Sequence, residues 1–466
     1  MVTRRWLLGA ACAAIAIAVL ATRPVRTPGP PARDFEAYWS AGVTRNAGAD
    51  PYGRAIWNAE RRVPDVDAAR DELLPFVGPP ASLLAWGVAA RWSYDAATRA
   101  WWALLAISLL GLVAAVAAGA GARLELTAFV GGVVLAIAFA PISSDLALGQ
   151  IALPAFAGAC ALVVLADRSL PAAAACACVA FTQPNAALGL LSQLGRNRAT
   201  LALFAGLLAT YALGVLAAGW AWPRAYARLL AAHGAAERFD AIQFSPASIA
   251  YGFVANPIEA RAVGVAFAAI AVGAAVAIAL RFRERFARFA AFSALAPFVA
   301  GFVHEHDLVV TFAAALWCAL RTRGIARTVA LAGTLLVCVD WLGLAQRPSG
   351  IAQSLLLATA AFAAFVALGQ PVELLRAVPV GIAMAAVFAV AAFLAVGHPI
   401  PIWPDALASF HAGANASPAA VWFAEQRASG LLAAVPAWSL LRSLSLLGCA
   451  LLAAAIYRHS ACCRTA

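Results

Sequence analysis

Apolar runs of about twenty residues, separated by short polar turns, recur along nearly the whole of this 466-residue chain. That spacing constrains the fold more than any other feature. About 20 helical residues cross the hydrocarbon core of a bilayer, and only helices or closed barrels satisfy every backbone polar group there. The runs read as spans near 98–120, 124–142, 147–166, 199–220, 260–282, 286–303, 306–322, 326–345, 351–370, 377–397 and 431–457. Charged residues make up 12% of the chain and hydrophobic ones 64%, against about 25% charged in a soluble domain. That is too little charge to cover the surfaces of a soluble chain this long. The expected fold is an all-α polytopic membrane protein with about 12–14 membrane segments.

The net charge is +11, and every basic residue is arginine. A nucleic-acid surface would gather arginine on one face among aromatics. Here the arginines sit in short turns between apolar runs, where the positive-inside rule places them. A membrane is therefore the expected partner and nucleic acid is not. The nine cysteines lie mostly inside apolar runs and form no CxxC pair, so they read as small buried hydrophobes. Arg4 and Arg5 followed by an apolar run to Ala21 have signal-peptide character, with Val19 and Ala21 as a cleavage pattern. The preferred reading is a retained signal anchor.

The chain divides into a first span over 1–22, a polar outer loop with interfacial helices over 23–97, and core spans over 98–220. An outer loop over 221–259 and C-terminal spans over 260–466, with a further outer loop at 398–430, complete it. Residues 76–92 are apolar but short and rich in Gly and Pro, so they either span or lie along the interface. Pro184 breaks the run 170–194, because proline removes a backbone donor and clashes with the preceding turn. That run is either kinked or a re-entrant pair of half-helices around 183–185. With 76–92 on the outer face and 170–194 re-entrant, Arg123, Arg168, Arg196, Arg198, the Arg281–Arg288 cluster, Arg321, Arg323, Arg327 and Arg376 all fall inside. Both termini are then cytoplasmic, and Arg347 is the one basic residue in a short outer loop.

In that arrangement the polar clusters other than arginine share the outer face. They are the 23–98 stretch, the turn from Ser143 to Gln150, the break at Gln183-Pro184-Asn185, the segment Gln243–Pro246 and the turn His304–Asp307. Polar groups at membrane depth are costly and usually mark a functional cavity.

The outer stretch opens with Arg33-Asp34-Phe35-Glu36-x-Tyr38-Trp39-x-Ala41-Gly42, followed by Asp50-Pro51-Tyr52 and Phe76-x-x-Pro79-Pro80. Further on come Gly149-Gln150 and the break at Pro184. This order resembles the GT-C glycosyltransferases, and among them family 87, the polyprenol-phosphate-mannose-dependent mannosyltransferases. The resemblance covers about residues 30–195, with an echo at His304–Leu308. Gln183 stands at the family's basic position, Gly78 replaces a tyrosine and Ala152 an asparagine. The resemblance implies a GT-C fold, a catalytic first outer loop, a polyprenyl-phosphate sugar donor, a lipid or glycan acceptor, and no cofactor beyond the donor. It implies a bacterial inner-membrane enzyme with its active site outside.

Such a reaction needs a base for the acceptor hydroxyl and groups that stabilise a leaving phosphate. A single carboxylate as base implies inversion at the anomeric carbon, by analogy with inverting glycosidases. Asp34 is the candidate base; the alternative is that it caps a helix beginning at Phe35. Glu36 reads as a solvated loop charge, and Tyr52 belongs to an Asp-Pro turn that is structural or substrate-binding. Arg33 either grips a phosphate or snorkels. Tyr38, Gln183 and Asn185 are further candidate substrate contacts. Asp145 and Gln150 either tie two spans together or touch substrate. His304 and His306 flank Glu305 at a spacing that on a helix points to different faces. A phosphate or sugar contact is therefore preferred to a metal site, and no metal is expected. The rival function is a transporter or flippase, supported by the broken helix at Pro184; it lacks a second broken segment in the C-terminal half.

Overall fold

The computed structural model describes residues 2–21, 32–67, 69–122, 125–195, 197–369, 374–403, 405–407 and 410–462. The start of the expected outer stretch (residues 23–31), Arg123 and Arg196 lie outside these described residues.

Capping side chains and prolines set where the helices begin. Ser93 opens helix Tyr94–Gly119, Ser169 opens Leu170–Ala180, Asn256 opens Pro257–Arg281 and Ser417 opens Pro418–Ala428; each accepts a hydrogen bond from a first-turn backbone N–H. Seven described helices are long and apolar enough to cross a membrane, or eight if the bent pair Leu126–Ile137 and Ala140–Leu148 counts as one span. Helix Val2–Ala21 packs against Ile351–Ala367.

The long helices carry the lipid-facing surface. Leu201, Phe204, Leu208 and Leu216 of Asn197–Ala218, Ile258, Val265, Ile270 and Leu280 of Pro257–Arg281, and Leu375, Ile382, Val390 and Phe393 of Leu374–Gly397 are all exposed. Exposed apolar surface on this scale is stable only against hydrocarbon. Several expected spans are shorter: Ala152–Leu165, Arg285–Val299 and Phe312–Arg321. These short helices lie inside the bundle, with Phe312 to Ala319 wholly buried. Broken helices survive at membrane depth where protein, and not lipid, surrounds them.

Two expectations about the spans are corrected, and one alternative left open is decided. The segment 306–322 is not one span, since His306–Thr311 forms a 3-10 turn before the helix starts at Phe312. Ser143–Gln150 is not a turn between two spans. Residues 140–148 form a helix with Pro141 in its first turn, bent by 68° from the helix before it. Residues 76–92 do not make a span either: a 3-10 turn at Pro80–Ser82 leads into the short helix Leu83–Ala89, which packs on helix Arg33–Asn46.

Helix Arg33–Asn46 is seated by aromatic contacts. Phe35 stacks on Trp101 with ring centroids 5.6 Å apart, and Tyr38 stacks on Trp86 at 4.9 Å. Glu36, expected to be solvated, is fully buried and paired with Arg70. Arg70 also reaches Glu60 at 3.1 Å and Glu72 at 3.7 Å. A buried charge is tolerable only when paired, and this one ties the segment that carries Glu60 and Arg70 to the helix that carries Asp34.

Candidate functional site

Asp34 sits in the first turn of helix Arg33–Asn46, whose N-cap is Ala32 with no side-chain cap. The carboxylate is therefore free of the capping role and points to a neighbour far along the chain. Gln150 Nε2 donates to Asp34 Oδ2 at 2.5 Å, and Tyr38 donates its hydroxyl to Gln150 Oε1 at 2.5 Å. Gly149 makes that register. It holds φ at 71°, and a Cβ there would lie 2.7 Å from the Ala32 Cβ. Only glycine brings the chain this close to the start of the Asp34 helix while turning Gln150 toward it. Trp101 Nε1 donates to the Gly149 carbonyl at 2.8 Å and fixes the turn.

On the opposite wall, Gln243 Oε1 accepts from Val303 N at 2.8 Å, which makes its Nε2 the donor to Glu237 Oε2 at 2.9 Å. The same carboxylate oxygen lies 3.1 Å from His304 Nε2. Burial alone would lower the His304 pKa, but the Glu237 hydrogen bond and charge, with Asp307 and Asp240, win and raise it to about 9. His306, in the same connection, is shifted down by burial despite Asp307 beside it. One histidine of the pair is thus held as a cation and its neighbour as a neutral ring. Burial pushes the Asp34 carboxyl above the usual range; His306, the Gln150 hydrogen bond, His304 and Arg33 oppose that rise. A carboxylate with a raised pKa is the stronger base.

Arg33, Asp34, Tyr38, Gln150, Gln183, His304 and His306 all line one cavity of about 1230 Å³. Of the sequence candidates, three stand behind its wall. Asp145 is fully buried and accepts from Leu153 N at 2.8 Å. Asn185 donates to the Phe302 carbonyl at 2.7 Å, and Tyr52 to the Gly78 carbonyl at 2.8 Å. Arg33 lies over the Trp403 ring at 4.5 Å, so it is held from the far end of the chain. Gln183 Nε2 donates to Asp307 Oδ1 at 2.7 Å, bringing the break at Pro184 against the histidine turn.

His304, His306 and Asp307 bring potential ligand atoms within 4.8 Å of one another. The turn is not helical at His304, so the different-faces argument does not apply, and the two rings approach to 5.3 Å. Two of the three residues already have hydrogen-bond partners: His304 Nε2 in Glu237, and Asp307 in Gln183 and the His304 N–H at 2.9 Å.

Several lining residues carry no local sequence signal. Glu237, Trp403, Trp422 and Gln426 border the same cavity. Trp422 Nε1 donates to Glu237 Oε1, and Trp403 Nε1 to Glu425 Oε2 at 2.9 Å. The loop 398–430 thereby holds both the Arg33 and the His304 side of the site. None of these contacts has a local sequence pattern.

A polytopic all-helical membrane protein that gathers its polar side chains into a single cavity of this kind has the architecture of a GT-C membrane glycosyltransferase. Residues 76–304 match the sequence model of glycosyltransferase family 87, which marks the chain as a membrane glycosyltransferase. The matched stretch begins after Asp34 and ends at His304. No curated protein and no solved structure matches the chain.

Proposed function

We propose that this glycosyltransferase moves a hexose, mannose foremost, from polyprenyl phosphate to a lipid or glycan acceptor. The reaction takes place at the outer face of the bacterial inner membrane, both termini are cytoplasmic, and the anomeric centre inverts. The observation that carries this reading is Asp34, uncapped and held by Gln150 in the same cavity as the His304 cation.

In this reading Asp34 takes the proton of the acceptor hydroxyl as its oxygen bonds to the anomeric carbon. The bond from that carbon to the phosphate oxygen breaks, and polyprenyl phosphate leaves with the electron pair. General-base assistance contributes about 10²–10⁴-fold. The charge developing on the leaving phosphate is met by His304, held protonated by Glu237, and by Arg33. A long prenyl chain suits the apolar part of the wall, where Val19, Leu20, Leu148, Leu342 and Leu357 border the cavity. With His304 and Asp307 engaged in hydrogen bonds, the reaction as proposed uses no tightly bound metal.

The test is to incubate the purified protein with radiolabelled polyprenyl-phosphate mannose and a membrane lipid extract. A labelled product of inverted anomeric configuration is expected. Labelling only from a nucleotide sugar would refute the donor assignment.

A further inference from the structure

Gln426 is fully buried, yet among the described residues neither its Nε2 nor its Oε1 has a hydrogen-bond partner. It borders the cavity together with Trp422, four residues earlier on helix Pro418–Ala428 and therefore on the same helix face. A buried amide left without partners bears the full desolvation cost of each group, and an apolar residue of the same shape would remove that cost. Such a side chain at a cavity wall is what a binding site looks like before its ligand supplies the missing partners.

The chemistry of the surroundings narrows the ligand. An amide presents one donor group and one acceptor side by side, which matches two neighbouring hydroxyls of a sugar ring. Trp403 and Trp422 lie with ring centroids 5.5 Å apart at 64°. Both indole N–H groups are already spent on Glu425 and Glu237, and Arg33 lies over the Trp403 ring, so what the pair adds to the cavity wall is the ring surface that Arg33 leaves uncovered. An apolar aromatic surface beside an unspent amide fits a pyranose, whose C–H face is apolar and whose rim is hydroxylated.

We propose that Trp422 and Gln426, with Trp403, form a pyranose subsite in which the Gln426 amide pairs with two adjacent hydroxyls. This rests on the glycosyl-transfer reading and adds to it that recognition of a sugar is supplied by the 398–430 loop, outside the family-matched residues 76–304. The pyranose belongs either to the acceptor glycan or to the lipid-linked donor, and kinetics separate the two.

The experiment uses purified full-length protein and the variants Gln426→Leu and Gln426→Met, which fill the same volume without an amide. Half-saturating amounts of membrane lipid extract and of polyprenyl-phosphate mannose are measured separately. Losing two hydrogen bonds to the sugar raises one of them about 10–100-fold, with kcat near wild type and thermal stability equal or higher. A rise for the extract assigns the subsite to the acceptor, and a rise for the donor assigns it to the donor sugar. In parallel, octyl α-D-mannopyranoside is titrated into each protein and followed by tryptophan fluorescence, with weaker binding expected for both variants. Unchanged half-saturation for both substrates and unchanged octyl mannoside binding would overturn the subsite. Absence of transfer by the wild type would instead sink the donor reading, and the fluorescence titration would then decide the subsite alone.

Discussion

Replacing Asp34 by Asn separates a base from a structural carboxylate. Asp34 caps no helix, and it accepts at Oδ2 the hydrogen bond that Gln150 donates. An Asn side-chain carbonyl accepts that same bond, and the stacking of Phe35 on Trp101 is untouched. Stability should therefore change by less than about 0.5 kcal/mol, the usual range for a substitution that breaks no buried contact. What disappears is the basic oxygen. Removing general-base assistance lowers turnover by about 10²–10⁴-fold, or about 3–5 kcal/mol of transition-state stabilisation. The assay is initial-rate transfer from radiolabelled polyprenyl-phosphate mannose, alongside donor binding and a thermal melt. Donor binding should survive. Glu36→Gln, two residues on, serves as the contrast: it removes a charge partner from buried Arg70, so it should lower the melting temperature and spare turnover per folded molecule. A well-folded Asp34→Asn protein with near-normal turnover would refute the assignment.

Turnover against pH should rise as Asp34 loses its proton, at a pH above the ordinary carboxylate range, and fall as His304 loses its proton near about 9; Glu237→Gln should move the alkaline limb to lower pH, and an unmoved limb would remove His304 from the reaction. Gly149→Ala forces a left-handed Ala against Ala32 and should cost about 1–3 kcal/mol, read as a lower melting temperature together with a loss of kcat. Incubation with EDTA should leave transfer intact; activity lost on chelation and restored by one divalent ion would make ligands of His304, His306 and Asp307. Single cysteines at 34 and 306 in a cysteine-free background should react with an impermeant thiol reagent from the outside only, and labelling from opposite sides would break the shared site.

The sequence by itself determined that this is a helical membrane protein. Runs of twenty apolar residues have one stable solution in hydrocarbon, where each backbone group must find its partner within its own helix. The sequence's polar clusters at membrane depth are costly enough to need a reason, and the resemblance to family 87 is what singled out Asp34 and Gln150 among them. Which of these side chains meet was decided only by the tertiary structure. Asp145 and Gln150 lie five residues apart, yet one turns back to Leu153 and the other reaches Asp34, because Gly149 reverses the chain between them. Glu36 and Asp34 share a helix turn, yet Arg70 buries one while the other faces the cavity. Glu237, at the end of helix Trp222–Ala236, keeps His304 charged, and Gln426, on helix Pro418–Ala428, lacks a partner among the described residues; both are distant in sequence from the Asp34 helix and have no local pattern. Local periodicity tells a side chain which face of its own helix it occupies; what stands opposite that face depends on how distant helices pack, and that is settled only when the whole chain is folded.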